Sequence, residues 1–263
     1  MDRNKSVYKL HNFGPVYYIN LDDQPERREF MESRFKYWEI EDYTRISAYD
    51  GRNDDLGDII KGKYPDNVTT AEIGCLTSHL KAIKYWYDNS DSPYAIFMED
   101  DCIIDIAKYW NFTWQEFLSR VPYNFDCLQL CLIVTGDIHV TIHKHQANEF
   151  STACYVITRR YAKKLIDLHC RDDKYKLDQD IRPRAVADDL IYSAGITYST
   201  PLFLYKLELG STIHEDHVET FHRNSYEGLY NFWSQKGSEL SVEQITNYNP
   251  YFNSVIGSSG QGA

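Results

Sequence analysis

A surplus of cations is missing from this chain. Lys and Arg total 28 against 39 Asp and Glu, a formal charge of −11. A nucleic-acid binder needs basic clusters that displace counterions from phosphates. No Lys/Arg run occurs, so the charge balance argues against a general DNA or RNA role. Long apolar runs are missing too. None approaches the ~20 residues that span a bilayer. The stretch Met1 to His11 is polar and mixed in charge, without the apolar centre of a secretory signal. The 6 cysteines form no C-x-x-C pair and no zinc spacing. Most sit in apolar runs, as in Leu130-Cys131-Leu132 and Ala153-Cys154-Tyr155, where a thiol serves as a small hydrophobe. These absences predict a reduced, cytoplasmic protein without a transmembrane segment. Internal repeats and a G-x-x-x-x-G-K-[ST] phosphate loop are also lacking.

What is present is globular in composition. Hydrophobic residues make up 43% and charged residues 25%, near the averages for folded domains. Chains of this size bury roughly 70–75% of their unfolded surface. Aromatic residues reach 15%, with 22 Tyr. Core and surface packing is the first use of such rings. Stacking on the C–H faces of sugars is the second.

Val16 to Leu21 is a short apolar, aromatic run and predicts a buried strand. Asp22, Asp23 and Pro25 supply helix N-cap and first-turn signals. In the helix that follows, Arg27, Phe30, Met31, Arg34, Phe35 and Trp38 fall on one stripe. A polar loop runs from Ala48 to Asp66. Thr69-x-x-Glu72 reads as a capping box, opening a helix with Ile73, Leu76, Leu80, Ile83 and Tyr87 at helical spacing. Further strands are predicted at Tyr94–Met98, Phe125–Val134 and Thr152–Thr158. The last feeds a helix from Arg160 to His169 with Tyr161, Leu165 and Leu168 on its inner face. Strands and helices alternating at short spacing predict an α/β domain with a largely parallel sheet. One domain over residues 1–253 and a flexible Gly/Ser-rich tail over 254–263 complete the expected organisation.

Three carboxylates, Glu99, Asp100 and Asp101, follow directly on an apolar strand. Side chains alternate in extended chain, so Glu99 and Asp101 are expected on one side and Asp100 on the other. Paired carboxylates at a strand end suit a hard cation such as Mg²⁺ or Mn²⁺. An acidic turn capping the next element is the plainer reading. Asn20 and Arg27 bracket the end of the first strand and the start of its helix, where an anion or planar base can be received; a lone Arg is otherwise a surface cation. His79 lies on the inner face of its helix, the place of a satisfied core histidine. Asp188 and Asp189 either cap a short helix or supply a general base. His214 and His217 flank Glu215-Asp216 and offer a further metal ligand.

In this order the pieces resemble glycosyltransferase family 25. Val16-Tyr-Tyr-Ile-Asn-Leu-Asp-Asp-Gln-Pro-Glu-Arg-Arg28 is similar to its apolar-I-N-L-x-x-x-x-x-R-R opening. Ala48-Tyr-Asp-Gly51 resembles its A-x-D-G step, and Glu72-Ile-Gly-Cys-Leu-Thr-Ser-His79 its G-E-φ-G-C-x-x-S-H element (φ apolar), with Ala71 where Gly is usual. Ile96-Phe-Met-Glu-Asp-Asp101 matches φ-φ-x-E-D-D. Val186-Ala-Asp-Asp-Leu190 resembles P-V-D-x-φ, with Val-Ala where Pro-Val is usual. The resemblance implies a GT-A-type α/β fold, with a mixed, mostly parallel sheet flanked by helices. It also implies a UDP-sugar donor, Mn²⁺ or Mg²⁺, and inversion at the anomeric carbon. By motif, Asn20, Leu21 and Arg27 would line the nucleotide pocket, with Ser78 and His79 near the donor. Glu99 and Asp101 would serve ribose and metal, with Asp100 a further donor-binding candidate; the resemblance fades beyond about Ser211, so His214 stays a metal-ligand candidate from its own cluster alone. Asp188 or Asp189 would be the base. The expected reaction moves a hexose, galactose or glucose, to a glycan or hydroxylysine-type hydroxyl. The alternatives are a non-catalytic carbohydrate or nucleotide-sugar binder and a metal-dependent phosphoryl or nucleotidyl transferase.

Overall fold

The computed structural model describes residues 5–53, 55–177, 184–207 and 222–247, with the backbone of Val255–Ile256. In chain order its first elements are β1 (Val16–Asn20), α1 (Pro25–Tyr37), β2 (Tyr43–Ser47), α2 (Thr70–Asn89), β3 (Tyr94–Glu99), β4 (Cys102–Ile103) and α3 (Trp114–Leu118). There follow β5 (Cys127–Cys131), β6 (His143–Lys144), β7 (Cys154–Thr158), α4 (Arg159–His169), α5 (Ala187–Ser193), β8 (Thr197–Tyr205), α6 (Arg223–Lys236) and α7 (Val242–Thr246).

β1 is buried at every position. Val16 and Tyr18 enter one core cluster while Tyr17 and Ile19 enter another. A strand with no polar face has to lie inside a sheet covered on both sides. The sheet order is β2-β1-β3-β7-β5-β8-β4, with β6 also on β8. β1 pairs in parallel with β2 and β3, and β8 in parallel with β5, whereas β7 runs antiparallel to both of its neighbours. Thus β2, β1, β3, β5 and β8 point the same way and β7 is the reversed strand. The short β4 and β6 pair antiparallel with β8. Side chains of α1, α3, α6 and α7 fill the core on one face of this sheet. Those of α2, α4 and α5 fill the other. The sheet is therefore mixed and mostly parallel, flanked by helices, as the family resemblance implies.

Local departures from the sequence reading have physical causes. Asp22 and Asp23 do not cap α1: its N-cap is Gln24 without a side-chain bond, and Pro25 opens the first turn. The two aspartates pair instead with Arg45 and Arg52, at 2.5 and 2.9 Å. Leu168 is exposed, and His169 takes the inner position beside Tyr161, Ala162 and Leu165. At about 100° per residue, Ala162, Leu165 and His169 set the centre of that face and leave Leu168 at its margin. β8 escapes a hydrophobic reading because Thr197, Ser199, Thr200 and Pro201 interrupt it, yet all nine of its residues are buried. Proline has no N–H for a ladder, and the register with β5 shifts between Ser199 and Phe203, around Pro201. The α2 capping box is present: Glu72 N–H donates to Thr69 Oγ1 at 3.1 Å and Thr69 N–H to Glu72 Oε2 at 2.7 Å.

All six cysteines are free, and Cys75 alone is not buried. No helix of the described residues is long and apolar enough to cross a membrane. Val255–Ile256 pairs with Ile138–His139; the rest of 254–263 lies outside the described residues.

The loop after β2 rests directly on α2. A Cβ at Gly51 would sit 2.0 Å from the Thr70 carbonyl oxygen, and one at Gly74 would sit 2.8 Å from the Gly51 nitrogen. Both contacts are with backbone, which has little room to yield. Gly51→Ala should therefore destabilise the fold by about 1–3 kcal/mol or more. Gly228→Ala, in α6 with its nearest neighbour Ile138 Cδ1 at 3.5 Å, should instead stabilise by up to about 1 kcal/mol. Urea denaturation of the two variants checks both signs.

Candidate active site

The chain leaves β1 for β2 on one side, and β3 joins β1 on the other. In an open α/β sheet such a switch point leaves a crevice beyond the carboxyl ends of the strands. An open cleft occupies that place, and Asn20, Leu21, Arg27, Ser78, His79, Glu99 and Asp100 all line it. Residues spread over 80 positions of sequence thus share one wall.

Asp100 is the anchor. Arg27 Nε donates to its Oδ1 at 2.7 Å, and Arg27 Nη2 lies 2.5 Å from the same oxygen. Asn20 Nδ2 donates to Oδ2 at 2.7 Å. Asn20 Oδ1 accepts from Arg45 Nε at 2.9 Å, so the amide is held from both ends. Arg27 and Asp100 are both buried. Arg27 is not the surface cation of the plainer reading.

Glu99 faces α2. His79 Nε2 lies 3.3 Å from Glu99 Oε1, and Thr152 Oγ1 donates to that oxygen at 2.6 Å. His79 Nδ1 is 2.9 Å from the Tyr155 hydroxyl. An ionised carboxylate only accepts, so Nε2 carries the proton toward Glu99, and in the neutral ring Nδ1 accepts from the Tyr155 O–H. Burial pushes the Glu99 carboxyl up, but the His79 and Thr152 bonds and the Arg27 charge outweigh it and hold the group below its usual value. Ser78 acts through backbone: its hydroxyl donates to the Gly74 carbonyl at 2.6 Å and accepts from Tyr49 N–H at 2.8 Å. It fastens the loop bearing Gly51 to α2.

Asp101 lies in the turn beyond β3, with its Oδ2 3.4 Å from Arg27 Nη2. Strand alternation ends at Glu99, so Asp101 and Asp100 both meet Arg27 rather than lying on opposite sides. Asp101 Oδ1 is buried without a hydrogen-bond partner. Burial, then the Glu99 charge, pushes this carboxyl up to about 7, against the pull of Arg27. Asp188 and Asp189 fall in the first turn of α5, whose N-cap is Val186, so neither is the cap residue. Asp188 Oδ1 is also buried and unpartnered. Burial and then the Glu99 charge raise Asp188 to about 7. Asp189 Oδ2 accepts from Arg184 N–H at 3.0 Å. His214, with Glu215, Asp216 and His217, lies outside the described residues.

Sequence reasoning passed over several residues of this cleft. Cys75 stands one helical turn before His79 and lines the same wall; the spacing of four was the available signal. Asp50 and Arg52 pair at 2.8 Å on the rim, and the Arg52 bonds hold the Asp50 carboxyl far below the usual range. Thr152 and Tyr155 were legible only as part of a strand, since the pairing of β7 with β3 is what brings them to Glu99 and His79.

Fold and site together define an α/β enzyme with a carboxylate-rich cleft at the switch point of its sheet. The chain belongs to glycosyltransferase family 25, described as "LPS biosynthesis protein", whose profile matches residues 13–180; it is a glycosyltransferase. No curated protein matches it. Among solved structures it is similar to HddC from Yersinia pseudotuberculosis, with a TM-score of 0.33 and 12% identity, covering 72% of this chain and 69% of that one.

The raised Asp101 carboxyl has a stability signature. Its folded-state pKa of about 7 lies above the unfolded value near 3.9. The folded protein therefore binds the extra proton, and this group's contribution is fully present at low pH and lost as pH rises toward 7. Asp101→Asn removes the titration. In chelator, its stability relative to the parent should improve by about 1–3 kcal/mol between pH 5 and pH 8, read by urea denaturation. A pH-independent difference would contradict the assignment.

Proposed function

We propose that this glycosyltransferase moves a hexose, galactose first and glucose next, from a UDP-sugar to a glycan hydroxyl with inversion, assisted by Mn²⁺ or Mg²⁺. The observation that carries the reading is that two oxygens, Asp101 Oδ1 and Asp188 Oδ1, are buried and unpartnered, both in the field of Glu99 at the end of β3. An acidic centre of this kind fits a hard cation, because carboxylate oxygens are its preferred ligands. Asp100 is committed to Arg27 and Asn20, which leaves Glu99 and Asp101 as the residues to hold the ion, with His214 a further candidate. The bound ion supplies positive charge that offsets the departing diphosphate.

The chain's own residues supply the rest. Arg27, fixed by Asp100, presents an immobile guanidinium to the donor, and Asn20 and Leu21 line its pocket. Asp188 accepts the proton of the attacking acceptor hydroxyl. A base works best with a pKa near the working pH, and Asp188 at about 7 meets that condition. Asp189 has one oxygen committed to the Arg184 amide, which favours Asp188 over its neighbour. A hydroxylysine-type side chain is the second acceptor class to be offered.

Calorimetry with UDP tests the donor site. Binding should require Mn²⁺ or Mg²⁺ and disappear in Asp101→Ala with the fold intact; unchanged binding would remove the metal assignment. In a turnover assay with UDP-galactose and UDP-glucose, Asp188→Asn should lower kcat by ~10²–10⁴-fold while UDP affinity is retained. Asp189→Asn should act mainly on acceptor KM or stability. Activity of the parent should fall as pH drops below about 7, because Asp188 then becomes protonated. Normal kcat in Asp188→Asn would end its role as base.

A further inference from the structure

We propose that Cys75, His79 and Glu99 form a three-ligand site for a thiophilic divalent cation, Zn²⁺ above all, in the wall of the donor cleft. The site overlaps the Glu99–Asp101 oxygen pair at Glu99 and differs from it in its sulfur and imidazole ligands. Occupation by zinc thus excludes the hard cation, a competition that rests on the function proposed above.

The geometry comes from two elements. Cys75 and His79 are four residues apart on α2 and share a face, and Glu99 ends β3 opposite them. The Cys75 sulfur, a His79 ring nitrogen and a Glu99 carboxylate oxygen all lie within 4.8 Å of one another. Zinc–nitrogen and zinc–oxygen bonds of about 2.0–2.2 Å in a tetrahedron put those two ligand atoms about 3.4 Å apart. His79 Nε2 and Glu99 Oε1 are 3.3 Å apart. With a zinc–sulfur bond of about 2.3 Å, the sulfur should lie about 3.6 Å from each. A side-chain rotation at Cys75 of roughly an ångström closes that difference.

The surroundings match a metal-binding histidine and carboxylate. Ligating histidines have their other nitrogen held by a hydrogen-bond partner, and Tyr155 occupies that place on His79 Nδ1 at 2.9 Å. The tyrosine ring is buried and stacked on Phe97, centroids 5.3 Å apart, so its hydroxyl is fixed. A phenol both donates and accepts. It can donate to Nδ1 while Nε2 points its proton at Glu99, and accept from Nδ1–H when Nε2 is freed for a metal. Thr152 Oγ1 steadies Glu99 Oε1 at 2.6 Å. Three protein ligands beside an open cleft leave the fourth position for water or a ligand, the pattern of accessible zinc sites. Sulfur and imidazole favour zinc over Mn²⁺ and Mg²⁺. A thiol binds a metal as its thiolate, so the entering cation displaces the Cys75 proton.

Cobalt(II) is the probe. Metal-free protein titrated with Co²⁺ should show the intense visible bands of four-coordinate cobalt and a near-ultraviolet thiolate charge-transfer band, saturating at one equivalent and bleached by Zn²⁺. The charge-transfer band should vanish in Cys75→Ser. In Tyr155→Phe, zinc affinity should fall about 10–100-fold. A parallel measurement needs no variant. Cys75 is the one cysteine that is not buried, so iodoacetamide should label it first in the native protein, and Zn²⁺ at about ten times its Kd should slow that labelling about tenfold. No charge-transfer band, a band that survives Cys75→Ser, or labelling indifferent to Zn²⁺ would each overturn the site. Zn²⁺ should also weaken Mn²⁺-dependent UDP binding in the parent and not in Cys75→Ser. If UDP binding needs no Mn²⁺ at all, the hard-cation reading fails, while the cobalt spectrum and the labelling still decide the zinc site.

Discussion

The buried pair of Arg27 and Asp100 is the constraint around which the cleft is arranged. A guanidinium and a carboxylate taken out of water repay their desolvation only when geometry is good and the remaining polar atoms are bonded. Here Arg27 makes two contacts to one oxygen and Asn20 caps the other. The pair joins the first turn of α1 to the end of β3, and Asn20 adds the end of β1. Removing one partner of such a pair leaves an uncompensated buried charge, at about 3–5 kcal/mol. The same arrangement commits Asp100 and leaves its neighbours for other work. Arg45 extends it outward, bridging Asn20 and Asp22.

One consequence is an uneven division of charge among the carboxylates. Glu99 is held ionised by His79, Thr152 and Arg27. Its charge, acting through buried surroundings, opposes ionisation of Asp101 and Asp188. Like charges in a low-dielectric site push their pKa values apart, and groups so shifted cluster where chemistry is done. The glycosyltransferase assignment rests on the family match; this charge pattern supplies a physical account of why its motif carboxylates are neighbours.

His79 shows how one side chain serves several demands. Its helix position is apolar, which suggests a core residue, and it is indeed buried. Both ring nitrogens are nonetheless engaged, one by Tyr155 from the reversed strand β7 and one by Glu99 from β3. The core reading and the site reading are compatible, since the core on this face of the sheet runs up to the cleft.

Much was determined by the sequence alone. The both-sides-buried pattern of Val16–Asn20, the Thr69–Glu72 capping box and the spacing of α2 depend on local stereochemistry and hydrophobic period, which neighbouring residues carry with them. The acidic triplet after β3 was legible for the same reason, and the ordered series of motifs identified the family. What the triplet's members do was decided only by tertiary structure. Strand alternation put Asp100 alone on one side, yet Arg27 reaches both Asp100 and Asp101 because the chain turns after Glu99. β8 stayed hidden because its burial comes from neighbours on both faces and not from its own polar, proline-containing sequence. Thr152 and Tyr155 reach the site through antiparallel pairing of β7 with β3, and the carboxyl shifts arise from burial by the packed fold and from charges that include distant ones, Glu99 on Asp188 and Arg27 on Glu99. Local pattern is written in neighbouring residues, whereas desolvation and Coulomb interaction depend on which distant segments the packed fold brings within a few ångströms.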